Sequence, residues 1–118
     1  MFAAFGVRIR PANCHLIKNT VMKIHLQGEW ATRQVRLNGR ILSPAKSQKV
    51  WNHSPDGFNW GYGGSGPAQL ALAICLQLYG PKGKYDHQDF KFKYIATLPQ
   101  YDFDVELEVP DKDKVEAY

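Results

Sequence analysis

The sequence predicts a small α+β domain, and three observations carry that reading. Residues 22–28 alternate in polarity through Met22, Lys23, Ile24, His25 and Leu26, as a strand with one buried face does. Asn38-Gly39 separates two short extended runs, the strongest local signal for a tight hairpin. Residues 67–79, PAQLALAICLQLY, are apolar nearly all round, as in a helix buried on most sides.

In chain order, residues 1–21 show no periodicity and contain no acid. They are expected to be an extension, because MKIHLQGEW from Met22 reads like a natural start. The domain proper is then 22–109, with a frayed acidic tail over 110–118. Gln34 to Leu37 and Arg40 to Leu42 form the arms of the hairpin, and Ser43-Pro44 stops the second arm. Residues 45–66 read as one long loop rich in Ser, Asn, Asp and Gly, and loops of that length in small domains are often functional. Within it, Ser54-Pro55-Asp56-Gly57 has the residue order of a type I turn.

Pro67 suits a first helical position, because its missing N–H would have no partner there. Gly66 then falls at the N-cap and Gln69 at the third position, where its amide can reach back to the helix start. Gly80-Pro81 ends the helix. Residues 86–98 fit two patterns. As a helix, Phe90, Tyr94, Ile95 and Leu98 share a face; as a strand, Phe90, Phe92, Tyr94, Ala96 and Leu98 alternate. The helix is preferred, since Asp86 can cap it and Pro99 stops it. In residues 102–109, Phe103, Val105, Leu107 and Val109 face one way. Asp102, Asp104, Glu106 and Glu108 face the other, which describes a late strand with an acidic side.

The chain has 118 residues, 44% of them apolar, enough for one domain with its own core. No apolar run reaches the roughly 18–20 residues of a membrane span, and the N-terminus lacks the features of a secretory signal. Cys14 and Cys75 have no metal-ligand spacing, so a reducing, cytoplasmic setting is expected. The net charge of +4 is unevenly spread. Up to Tyr85 the acids are Glu29 and Asp56, against eleven Lys and Arg; from Asp86 onward nine acids face four Lys. The basic residues are scattered singly, not in the dense stripe of a DNA binder. The simplest reading is that the acidic end complements the basic body.

The stretch SPDGFNWGYGGSGPAQ, residues 54–69, holds the candidate site. Gly63, Gly64 and Gly66 allow close backbone approach, and consecutive N–H groups there can cradle an anion. The helix that follows adds its positive end, Ser65 offers a hydroxyl, and Gln69 lies one turn on. Trp60 and Tyr62 can stack on a flat ring. Arg33, Arg36, Lys46 or Lys49 would supply counter-charge. The loop is neither a P-loop nor a dinucleotide fingerprint. Gly63-Gly64-Ser65-Gly66 approaches a nucleophile elbow, but Pro67 stands where its last glycine belongs. The histidines have no metal-ligand spacing. No cofactor or metal is called for, and a binding module is favoured over an enzyme.

The run from His53 to Cys75, with Val35 to Leu42 and Phe90 to Pro99 around it, resembles the signature of a family of small proteins of phages, plasmids and prokaryotic genomes. That family is a domain of unknown function. The resemblance covers about residues 22–100 and implies a small α+β domain carried on mobile elements. It implies no activity and no catalytic residues. The leading expectation is a module holding an anionic, nucleotide-like ligand through Trp60, Tyr62, Gly63, Gly64, Ser65, Gly66 and Gln69. The alternative is a module that docks on a host protein through Asp102, Asp104, Glu106 and Glu108; no membrane partner is expected, and weak nucleic-acid binding through the basic body is a third, less favoured reading.

Overall fold

The computed structural model describes residues 21–111. The expected N-terminal extension and most of the acidic tail lie outside that range. Residues 24–107 form one contact unit. A second comprises 1–23 and 108–118, of which only the ends of two strands are described.

Strands β1 (Val21–Gly28), β2 (Val35–Leu37), β3 (Arg40–Leu42) and β4 (Phe103–Pro110) make an antiparallel sheet in the order β3-β2-β1-β4. Leu26 pairs with Leu37 and Gly28 with Val35, while Leu37 pairs with Arg40 across the hairpin. Asn38 and Gly39 both have positive φ, 52° and 84°, the type I′ geometry whose twist matches the strands it joins. Asn38 also accepts the His25 N–H at 2.8 Å, tying the turn to β1. Ile24, Leu26, Val35, Leu37 and Phe103 are all buried. Alternation in β4 holds as expected, with Phe103 and Val109 buried and Asp102, Asp104, Glu106 and Glu108 exposed.

The segment expected as one long loop begins with a helix, α1 (Pro44–Val50). Ser43, which ends β3, is also its N-cap and accepts the Ala45 N–H at 3.2 Å. The same Ser-Pro pair therefore stops a strand and starts a helix, as Pro at a first helical position permits. Helix α2 (Ser65–Tyr79) starts two residues before the expected Pro67, with Gly64 as N-cap in place of Gly66. Every residue from Gly66 to Cys75 is buried. Each fully buried Leu or Ile contributes roughly 1.5–3 kcal/mol, so α2 holds much of the stability.

A 3-10 segment, Gly80–Tyr85, doubles back along α2. A β-carbon on Gly83 would run into the main-chain carbonyl of Cys75. Gly83→Ala is therefore expected to cost about 1–3 kcal/mol, read as a lower urea midpoint with unchanged slope. Residues 87–95 of the ambiguous segment are helical, as preferred. A turn of α-helix, α3 (His87–Phe90), runs into a wider π-type turn, Lys91–Ile95. Phe90, Ile95 and Leu98 are buried, with Tyr94 against Phe90 at 4.6 Å between ring centres. The wider turn bears on the site, because it begins at Lys91, which is buried.

Candidate anion site

Gln69 organises the approach to α2. Its side chain is fully buried. The carbonyl oxygen accepts the backbone N–H groups of His53 and Ser54 at 2.7 and 2.9 Å. The amide nitrogen donates to Ser47 Oγ at 2.8 Å and to the Trp51 carbonyl at 3.1 Å. With α2 starting at Ser65, Gln69 stands too far along to reach back to the helix start. It instead fixes the 51–54 segment, and its polar atoms are all spent within the protein.

The glycine-rich stretch is part core and part surface. The Ser54–Gly57 turn forms as expected, with the Gly57 N–H donating to the Ser54 carbonyl at 3.2 Å. Phe58 is buried, and Trp60 is fully buried. The Trp60 ring meets Phe103 and Trp30 edge-on at 4.9 and 5.5 Å, and its Nε1–H donates to the Tyr101 carbonyl at 3.1 Å. Trp60 thus has no open face to offer a ligand, contrary to the stacking expected of it. Gly61 has φ of 86°, and its N–H donates to the Ile95 carbonyl at 3.1 Å. Tyr62 is 42% exposed, and its ring lies over the α-carbon of Gly64. Gly63 and Ser65 are exposed and Gly66 is buried, hard against Asn59. Tyr62 is therefore the ring that the loop presents to solvent.

Next to this loop lies a cluster of basic groups. His53 Nε2 and His87 Nε2 are 2.9 Å apart. Trp51 stacks on His53 at 4.5 Å and meets His87 edge-on at 5.5 Å. His87 is 1% exposed, and its Nδ1 lies 2.6 Å from the Lys84 carbonyl, which can only accept. The hydrogen-bond network thereby assigns His87 as the Nδ1–H tautomer, with Nε2 accepting the Nε2–H of His53. Lys91 is only 6% exposed, and its ammonium donates to the Gly63 carbonyl at 3.2 Å beside the Phe92 ring. Among the described residues it forms no ion pair, the one found being His25 with Asp104. A buried ammonium without a counter-ion is costly.

The His53 pKa lies below its ordinary value, first because burial disfavours the imidazolium and then because His87 and Lys91 are near. The unfolded chain thus holds this proton more tightly than the folded one. The resulting stability is full above about pH 7 and is lost as pH falls through the ordinary histidine value near 6.5 toward the lowered one. Melting temperature should fall over that range in the native protein and fall less in His53→Asn.

Three of the four expected counter-charges are engaged elsewhere. Arg33 lies over the Trp30 ring at 3.6 Å and also bonds the Trp30 carbonyl. Arg36 reaches the Gly39 carbonyl at 3.4 Å. Lys46 lines a cleft of about 250 Å³ with Ile41, Leu42 and Leu76. His53 meets His87 instead, and Lys91 reaches Gly63, pairings that bridge segments 28 and more residues apart in sequence. Of the acidic row, Asp104 binds His25 and Gln27, and Asp102 accepts the Trp30 N–H at 2.7 Å. The His25 bond, more than any other influence, holds the Asp104 carboxyl below its usual range.

No helix among the described residues is long and apolar enough to cross a membrane. No curated protein and no solved structure matches the chain. Residues 26–117, which include the glycine-rich stretch and all three basic groups, match a family profile, and on that match the chain belongs to DUF6166, a family of unknown function.

Proposed function

We propose that the protein is a non-enzymatic binding module that holds a small anionic, nucleotide-like ligand at the mouth of α2. The observation that carries this reading is Lys91: a buried ammonium that forms no ion pair among the described residues and donates to the Gly63 carbonyl of the glycine loop. The N–H groups of the loop and of the first turn of α2 add partial positive charge. Tyr62 is the ring placed to stack on a base, with exposed Trp51 and Phe92 on neighbouring segments. A mobile-element setting, which the resemblance to phage and plasmid proteins implies, is compatible with such a module.

A thermal-shift screen against nucleotides, cyclic nucleotides and simple anions tests the reading. A ligand at about 100 times its Kd stabilises by roughly 2.7 kcal/mol. Tyr62→Ala should leave the fold intact and weaken AMP by about tenfold or more, the worth of one base stack, while sparing inorganic phosphate. Equal loss for both probes would remove the stacking role.

The second reading, a host-protein interaction surface, has one observation behind it. β4 lies at the sheet edge with Glu106 and Glu108 exposed. Asp102 and Asp104 are engaged within the protein, which reduces the acidic row available to a partner. Charge on an edge strand also serves simply to prevent edge-to-edge pairing. Replacing Glu106 and Glu108 with Gln should abolish capture of such a partner and leave AMP binding unchanged.

A further inference from the structure

Two hollows lie side by side where α1 meets the C-terminal half of α2. The first, about 250 Å³, is bounded by Ile41 and Leu42 of β3, Lys46 of α1 and Leu76 of α2. The second, about 410 Å³, runs from Val50 of α1 to Pro81 and Lys84 of the 3-10 segment, and Lys46 and Leu76 line it too. Lys46 and Leu76 therefore form the wall between them. Ile41 and Val50 are 57% and 49% exposed, so apolar surface in each hollow meets water. The local charge has one sign. Lys46 and Lys84 are exposed, and no carboxylate lines either hollow. The framing elements, PAKSQKV of α1 and GPKGKY of the 3-10 segment, hold four lysines and no acid.

We propose that this double hollow docks an acidic amphipathic helix of a partner protein. Two large apolar side chains would fill the hollows while carboxylates meet Lys46 and Lys84, the helix-in-groove mode of recognition. The charge calls for an acidic occupant, since complementary potentials steer and select partners. The dividing wall calls for separate side chains. A single alkyl chain needs one continuous slot, whereas here the Lys46 stem splits the apolar surface and keeps its ammonium in water. Residues three or four apart on a helix hold their β-carbons about 5–6 Å apart, which lets two of them straddle that wall. A nucleic acid is disfavoured, because no aromatic ring lines either hollow to take a base. The groove is independent of the anion site: neither the glycine loop nor His53 or Lys91 lines it. It also calls for a partner of opposite charge to the one that the acidic β4 row would take.

Selection of a phage-displayed library of random peptides against the purified chain tests this. Enriched peptides should carry Leu, Ile or Phe three or four residues apart, with Asp or Glu beside them. The most enriched peptide, added to the native chain, should move the NMR amide signals of Ile41, Lys46, Val50 and Leu76 and leave those of Gly63, Gly64 and Ser65. Lys46→Glu should weaken it about tenfold or more. That variant should fold as well as the native chain, because it completes the Ser-x-x-Glu order of a capping box with the N-cap Ser43. Val50→Asp, which places a charge in the second hollow at an exposed position, should weaken the peptide similarly. Arg36→Glu makes the same charge change as Lys46→Glu outside the groove. It should weaken the peptide by less than about twofold, because salt screens charges outside the contact. Enrichment of basic or acid-free peptides, equal weakening by Lys46→Glu and Arg36→Glu, or no enrichment over an unrelated protein would overturn the proposal. So would laurate moving the same amides when no peptide does, which would make the groove a site for an anionic lipid.

Discussion

Replacing Gln69 with leucine is expected to destabilise the protein by about 3–5 kcal/mol, with a melting temperature roughly 10–20 °C lower. Leucine has similar bulk and would leave little cavity. The loss is polar: two backbone N–H groups, the Ser47 hydroxyl and the Trp51 carbonyl would each lose a buried partner. A buried group left unpaired costs about 1–3 kcal/mol. Relaxation of the 51–54 segment toward water would recover part of that. Gln69→Glu separates the two halves of the amide. A carboxylate can still accept from His53 and Ser54 but cannot donate to Ser47 or Trp51. It should fall at least as far at neutral pH, since a buried charge is added. Urea denaturation of both variants checks this, and a loss below about 1 kcal/mol in Gln69→Leu would mean that the hub is not a structural tie.

Trp60→Ala is expected to cost about 3–5 kcal/mol, the usual range for removing a buried Trp. The residue is fully buried, its ring is wedged between Trp30 and Phe103, and its indole N–H is bonded. Trp60→Phe keeps the packing in part and loses the bond to Tyr101, for about 1–2 kcal/mol. The sequence alone places Trp60 with Tyr62 as a stacking pair, since both rings stand among glycines. Burial separates them. Gly61, at positive φ, turns the chain so that Trp60 points into the core and Tyr62 outward. Calorimetric melting of the two Trp60 variants, beside Tyr62→Ala with its intact fold, distinguishes these roles.

The hairpin, the buried helix and the acidic strand were legible because each rests on local chemistry: a turn that needs positive φ, a run of apolar residues, a period of two. Helix α1 was not legible. Its first turn is Ser-Pro, which reads equally as the end of a strand, and its polar sequence carries no apolar stripe. The start of α2 was misplaced because Pro67 is such a good first-turn residue, whereas the chain becomes helical at Ser65. The glycine loop is legible in the sequence, but its partners are not. Lys91 looks like one lysine in an alternating run, and His53 and His87 are far apart in sequence. Only the wide turn after α3 buries Lys91 and brings it to Gly63. The position of Gln69 near the start of α2 suggests a helix-start role, while its contacts are with a segment fifteen or more residues earlier.

Lys91, buried and without an ion pair among the described residues, is proposed to take its counter-ion from a ligand. The most direct test is calorimetric titration of AMP into the native chain and into Lys91→Met at pH 7. Methionine keeps the bulk of the stem and removes the charge, so the variant should fold as well as the native protein or better. Measurable AMP binding is expected in the native chain, with a loss of about ten- to a hundredfold in Lys91→Met, the worth of a charged hydrogen bond of 1.5–3 kcal/mol. Equal binding by the two chains, or binding by neither, would contradict it and leave Lys91 as a structural link between the π-type turn and the glycine loop.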